Sequence, residues 1–143
     1  MFNHIKHFII WAIMGFRSFF VQEQPIQIDV PVIDPYDPTT GDGRLAILAR
    51  YLEDFPSWAY WDMSSFSGCA AACAARIPLL VSQGLMMDRG MPTNNSIGHH
   101  NFITGMRKFF GLSRWNAWKF FMWGMGDSPQ QKAAQFRAYL ASK

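Results

Sequence analysis

The chain has 143 residues, of which 50% are hydrophobic and only 16% charged, with thirteen Phe and six Trp. That length supports one domain with a real core but not two comfortable ones, and the aromatic content excludes intrinsic disorder. The net charge of +3 hides a split, with acidic residues concentrated between Glu23 and Asp88 and basic ones from Arg89 onward.

Residues 1–22 hold an apolar stretch from Phe8 to Phe16, too short to span a bilayer, which takes about 20 apolar residues. Lys6 and this stretch have the outline of a signal peptide, but bulky Phe19 and Phe20 occupy the place of a small-residue cleavage site. On a helical wheel Asn3, His7 and Arg17 fall on one stripe, opposite Ile5, Phe8, Ile9, Ala12, Ile13, Phe16 and Phe20. The segment is expected to be an amphipathic helix that packs on its own domain, on a partner or on a membrane surface. Phe8, Ile9, Trp11, Ile13 and Phe16 are its candidate contact residues.

Residues 23–43 are of a different character. Pro25, Pro31, Pro35 and Pro38 exclude a continuous helix. Ile26, Ile28, Val30 and Val32 alternate with Gln27, Asp29 and Pro31, the period of an extended strand with one apolar side. An acidic arm of this kind docks by strand addition or by filling a groove, on a neighbouring subunit or on its own domain.

The globular part, residues 44–143, is predicted to be helical. Leu45, Leu48, Ala49 and Leu52 mark a helix stopped before Pro56, followed by an aromatic loop from Trp58 to Ser67. A small-residue helix is expected from about Gly68 to Arg76, with Cys69 and Cys73 one turn apart on one face. Val81 to Ile97 reads as loop. Asn101 to Phe110 reads as a helix ended by Gly111, with Leu112 placed for a Schellman contact. Ser113 caps the next helix, which runs through Trp115, Trp118, Phe121, Met122 and Met125 and reads as mostly buried. Ser128, Pro129 and Gln131 open the last, whose inner face is Phe136, Tyr139 and Leu140. The expected fold class is therefore all-α: a bundle of about four short helices, plus the N-terminal helix and the Pro-rich arm.

The chemistry-bearing residues are few. Two cysteines cannot frame a disulfide scaffold, and a reducing compartment suits them. With His99 and His100 they number four zinc-type ligands, but adjacent histidines point apart and a helical Cys-x3-Cys is an unusual zinc pair. Cysteine also packs as a small hydrophobe. Nothing resembles a nucleophile elbow or a phosphate-cradling glycine loop. Catalytic residues, metal and cofactor are accordingly expected to be none. The helix–Gly111–helix unit has the grammar of a helix-turn-helix, with Arg107, Lys108, Arg114 and Lys119 as candidate nucleic-acid contacts. A plain αα-corner has the same grammar. The charge split carries the same two readings, an acidic or nucleic-acid partner, or two halves that face each other.

The order Leu45-x-x-Leu48-Ala49-x-x-Leu52-Glu53, Trp61-Asp62-Met63, Cys69-x3-Cys73-Ala74 and Phe109-Phe110-Gly111-Leu112-Ser113 resembles a family of small phage and bacterial proteins of uncharacterised function. The resemblance covers residues 44–140. This chain has Ala where similar sequences carry Gly-Thr in the cysteine region, and Arg76 near their later glycine. It implies a viral context and an all-α fold and brings no activity. The expected function is a non-enzymatic interaction or structural protein, docked through its N-terminal helix and arm on a larger assembly such as a virion, in the host cytoplasm or virion. The alternatives are a nucleic-acid-associated regulator and a peripheral membrane protein.

Overall fold

In the computed structural model, which describes residues 35–88, 90–94, 101–124 and 126–143, Gly41–Glu53 forms the central helix α1. Leu45 through Ala49, with Tyr51 and Leu52, are all buried, so α1 is covered on more than one side. Thr40 caps it, its hydroxyl oxygen accepting from the Gly43 N–H at 3.1 Å. Asp37 in turn anchors the cap, its carbonyl accepting from the Thr40 hydroxyl at 2.7 Å. The turn before α1 is thus part of the domain's hydrogen bonding, and the helix begins at Gly41.

After the aromatic loop come two five-residue helices, α2 (Ala70–Ala74) and α3 (Pro78–Ser82). Cys69 stands just outside α2 as its N-cap, and every residue of α2 is buried. Next is a hairpin, β1 (Leu85–Asp88) and β2 (Met91–Asn94), antiparallel with Met86 opposite Thr93 and Met87 opposite Pro92. Then follow α4 (Phe102–Phe110), α5 (Arg114–Phe121) and α6 (Pro129–Ala141). The expectation of an all-α bundle of about four helices is corrected: the described residues form six helices and a two-stranded antiparallel sheet. The sheet falls in the stretch expected to be loop. Met-Met-Asp and Met-Pro-Thr-Asn lack the β-branched alternation that marks a strand. Pairing comes instead from packing: β2 lies on α4, and Thr93 and Asn94 are buried. Gly90, at φ +77°, makes the turn.

An aromatic chain ties the C-terminal helices together. Phe110 stacks on Phe121 at 5.2 Å, and Phe121 meets Phe136 at 5.9 Å. Phe120 contacts both Phe136 (5.2 Å) and Tyr139 (5.4 Å) edge-on. Each buried phenylalanine contributes on the order of 2–3 kcal/mol by area, so this chain alone is a large part of the fold's stability. α6 packs against α1, with Arg137 bonded to Glu53 at 2.6 Å and Lys143 to Asp42 at 2.7 Å. Part of the charge split is therefore resolved by two halves that face each other.

Helix α4 ends as its sequence dictates. Gly111 adopts φ +63°, and the Leu112 N–H donates to the Arg107 carbonyl at 2.8 Å, closing a Schellman turn. Arg44 from α1 covers this end. It donates to the Phe109 carbonyl at 2.8 Å and to Gln83 Oε1 at 2.6 Å, with its guanidinium over the Phe109 ring. Gln83 donates onward to the Pro38 carbonyl at 3.0 Å. Gly41 sits so close that a Cβ there would overlap the Phe110 carbonyl. The chain thus enters the domain beside the α4–α5 corner. Among the described residues no helix is long and apolar enough to cross a membrane.

Candidate functional site

The unusual surface of this protein is the outer side of α4 and α5. Eight residues of helix at 100° each place Ala117, Phe120 and Phe121 inward, where all three are buried. The apolar residues of this segment exceed what one face can bury. Trp115, Trp118 and Trp123 stand 59%, 39% and 47% exposed. The expectation that this helix is mostly buried is therefore corrected, because only its inner third meets α4 and α6. The Trp115 and Trp123 rings meet edge-on at 5.0 Å, which fixes them as a pair.

Between this face and the start of α4 lies an open apolar groove of about 450 Å³. Phe66, Met91, Phe102, Trp118 and Met122 line it, and Arg114 borders it. Phe66 reaches it from the aromatic loop and packs edge-on against Phe102 at 5.0 Å. A second, more polar groove lies between α5 and α6, lined by Asn116, Lys119, Gln135 and Ser142.

Of the four expected basic residues, Arg114 borders the first groove, Lys119 lines the second, and Arg107 and Lys108 stand in the last turn of α4. Lys108, Arg114 and Lys119 are exposed and Arg107 is half-buried. The ion pairs among the described residues are Arg50–Asp54, Lys132–Asp127, Arg137–Glu53 and Lys143–Asp42, so none of these four cations is neutralised there. From Asn101 to Gly126 the chain has no Asp or Glu. The face is thus aromatic and cationic at once, suited to an apolar partner that carries negative charge.

Sequence reasoning singled out the four cations and missed Phe66, Met91, Trp115, Trp118, Met122 and Trp123 as surface. The available signal was the excess of large apolar residues all round α5. The candidate contacts Phe8, Ile9, Trp11, Ile13, Phe16, Ile26, Ile28, Val30 and Val32 lie outside the described residues, as do His99 and His100.

The two cysteines are free thiols in the core, Cys69 at 2% and Cys73 at 0% exposure. Burial pushes the Cys73 thiol up to about 12, with Arg76 pulling the other way. Burial raises Cys69 too, opposed by the N–H groups of Ala72 and Ala71. Thiols held protonated among alanines are poor nucleophiles and poor metal ligands at neutral pH. The described residues contain no group of three His, Cys, Asp or Glu side chains able to hold a metal. Comparison of this chain with protein-family models, with curated proteins and with solved structures finds no match.

Proposed function

We propose that this protein is a non-enzymatic interaction module that attaches to a larger assembly through the outer face of α4 and α5. The observation that carries this is the coincidence of three exposed tryptophans with an apolar groove bordered by Arg114, on two helices whose four cations have no ion-pair partners among the described residues. Exposed tryptophan next to arginine is the composition of interface hot spots, and a contiguous apolar patch on a small domain marks an interaction site. A virion or host-cytoplasmic setting is part of this proposal, on the resemblance expected of residues 44–140. The segment at 1–22 supplies further attachment and is the one suited to a membrane surface.

The test is a size fractionation of extract from the protein's own source. Wild-type protein runs with its assembly, whereas the double variant Arg114→Glu/Trp118→Ala runs as a folded monomer. A folded double variant that stayed in the same fractions would refute the reading.

A second reading has one specific observation in its favour. The same face offers stacking platforms beside cations, which is how single-stranded nucleic acid is held. Tryptophan quenching by oligothymidine that weakens steeply with salt would establish it. An apolar groove bordering the tryptophans has no use in that mode, which places nucleic acid second.

A further inference from the structure

We infer that the groove on α4 and α5 is filled by the chain's own acidic arm, residues 23–34, acting in cis. The inference rests on reading this face as a docking surface and names its occupant.

The arm joins the domain at the turn before α1. Asp37, Pro38 and Thr40 are tied to α1 and Gln83, and Gly41 lies on the Phe110–Gly111 backbone. Arg114, at the rim of the groove, follows Gly111 by three residues. The chain therefore enters α1 beside the α4–α5 corner.

Ile26 to Val32 lie three to nine residues before Pro35. At about 3.3 Å per extended residue they lie within about 10–30 Å of it. From Arg114 to Met122, helix α5 and its cap rise only about 12 Å at 1.5 Å per residue. An extended arm of this length exceeds the length of α5.

The arm alternates Ile26, Ile28, Val30 and Val32 with polar residues, so one extended side is apolar and matches the groove floor. Glu23, Asp29 and Asp34 accompany it, and no Lys or Arg occurs between Arg17 and Arg44. Arg114 borders the groove, and the two helices that form it carry Arg107, Lys108 and Lys119 as well, with no Asp or Glu between Asn101 and Gly126. Two segments of one chain, each of a single charge sign, are thus complementary in apolarity and in charge. An external occupant then has to displace the arm, and occupancy of the groove becomes a competition.

The test uses the full chain with a photo-crosslinking p-benzoylphenylalanine at Trp118 and, as a control away from the groove, at Trp58. Irradiation should give adducts to residues 26–32 within the monomer band from position 118 and none from position 58. The adduct should be lost in Ile28→Asp/Val30→Asp. Carbodiimide coupling of unmodified protein, joining Lys108 or Lys119 to Asp29 or Asp34 within one chain, checks the same contact without altering the groove. Adducts in a dimer band make the occupant a second copy and overturn the inference. So do adducts to co-purified nucleic acid, or the absence of arm adducts by both methods. If arm adducts are absent while Arg114→Glu/Trp118→Ala still leaves its assembly, this inference fails and the docking function stands.

Discussion

The Lys132 ammonium, its side chain only 1% exposed, donates to the Trp123 carbonyl at 3.0 Å. This α6 lysine thereby caps the end of α5 from inside the domain. It also donates to Gln135 Oε1 at 3.1 Å and to the Lys119 carbonyl at 3.4 Å, and lies 3.6 Å from the Asp127 carboxylate. Asp127 is held in turn by Gln135, and its carbonyl accepts from Trp61 Nε1 at 2.7 Å. Carbonyls at a helix C-terminus lack intrahelical partners and carry partial negative charge, so a cation there answers both needs. The position of Trp123, and with it the Trp115 pair, depends on this buried charge.

Lys132→Met keeps the volume and removes the charge, leaving carbonyls and a carboxylate without their donor. The expected cost is about 3 kcal/mol, the range for breaking one side of a buried pair. Urea denaturation measures it. A variant as stable as wild type would show the network to be dispensable.

Alkaline stability follows from the core groups. Burial raises Cys73 to about 12 and raises Tyr51 as well. Above pH 9 the unfolded chain gives up the Cys73 proton while the folded one keeps it, so the folded state binds more protons and stability falls with rising pH. For Cys73 the loss at pH 10 is about 1 kcal/mol, from one decade of titration in the unfolded state alone. Lys132 acts in the opposite direction, since burial lowers its folded value below 10.5 and stability rises across that interval. Melting midpoints from pH 8 to 11 should fall less steeply for Cys73→Ala than for wild type. An identical slope would remove Cys73 from the account.

Thiol accessibility is a separate measurement. Both cysteines should resist iodoacetamide at pH 8 in the native protein and react once it is unfolded in urea. Rapid native labelling of Cys73 would contradict its burial.

Surface and core aromatics should separate cleanly. Phe136→Ala breaks the chain between Phe120 and Phe121 and is expected to cost about 4 kcal/mol. Trp115→Ala, at a 59% exposed site, should cost less than about 1 kcal/mol, mostly its edge contact with Trp123. Denaturation of both variants under one condition gives the comparison.

Truncation reports where the domain starts. Removing residues 1–34 leaves the Asp37 turn and the Thr40 cap, whereas removing 1–40 deletes both and the Pro38 carbonyl that Gln83 uses. The longer deletion should melt about 4 °C or more below the shorter one, since a lost cap alone costs about 1 kcal/mol. Equal midpoints would show that residues 35–40 contribute nothing to stability.

What the sequence determined by itself is what depends on near neighbours. The Ser113 and Ser128 caps, the Gly111 stop with its Leu112 contact, and the Pro129–Gln131 start are legible because each bond joins residues only a few positions apart. The charge split and the four cations of α4 and α5 were legible for the same reason. Tertiary structure alone decided the rest. The hairpin forms because β2 finds α4 beneath it, which no property of Met86 or Thr93 announces. A helix apolar on every side does not say which side its neighbours will cover; the positions of Phe110 and Phe136 chose Phe121 and Phe120 and left three tryptophans outside. Lys132 reads as a surface lysine until the end of α5 closes over it and supplies the carbonyls that accept from its buried ammonium.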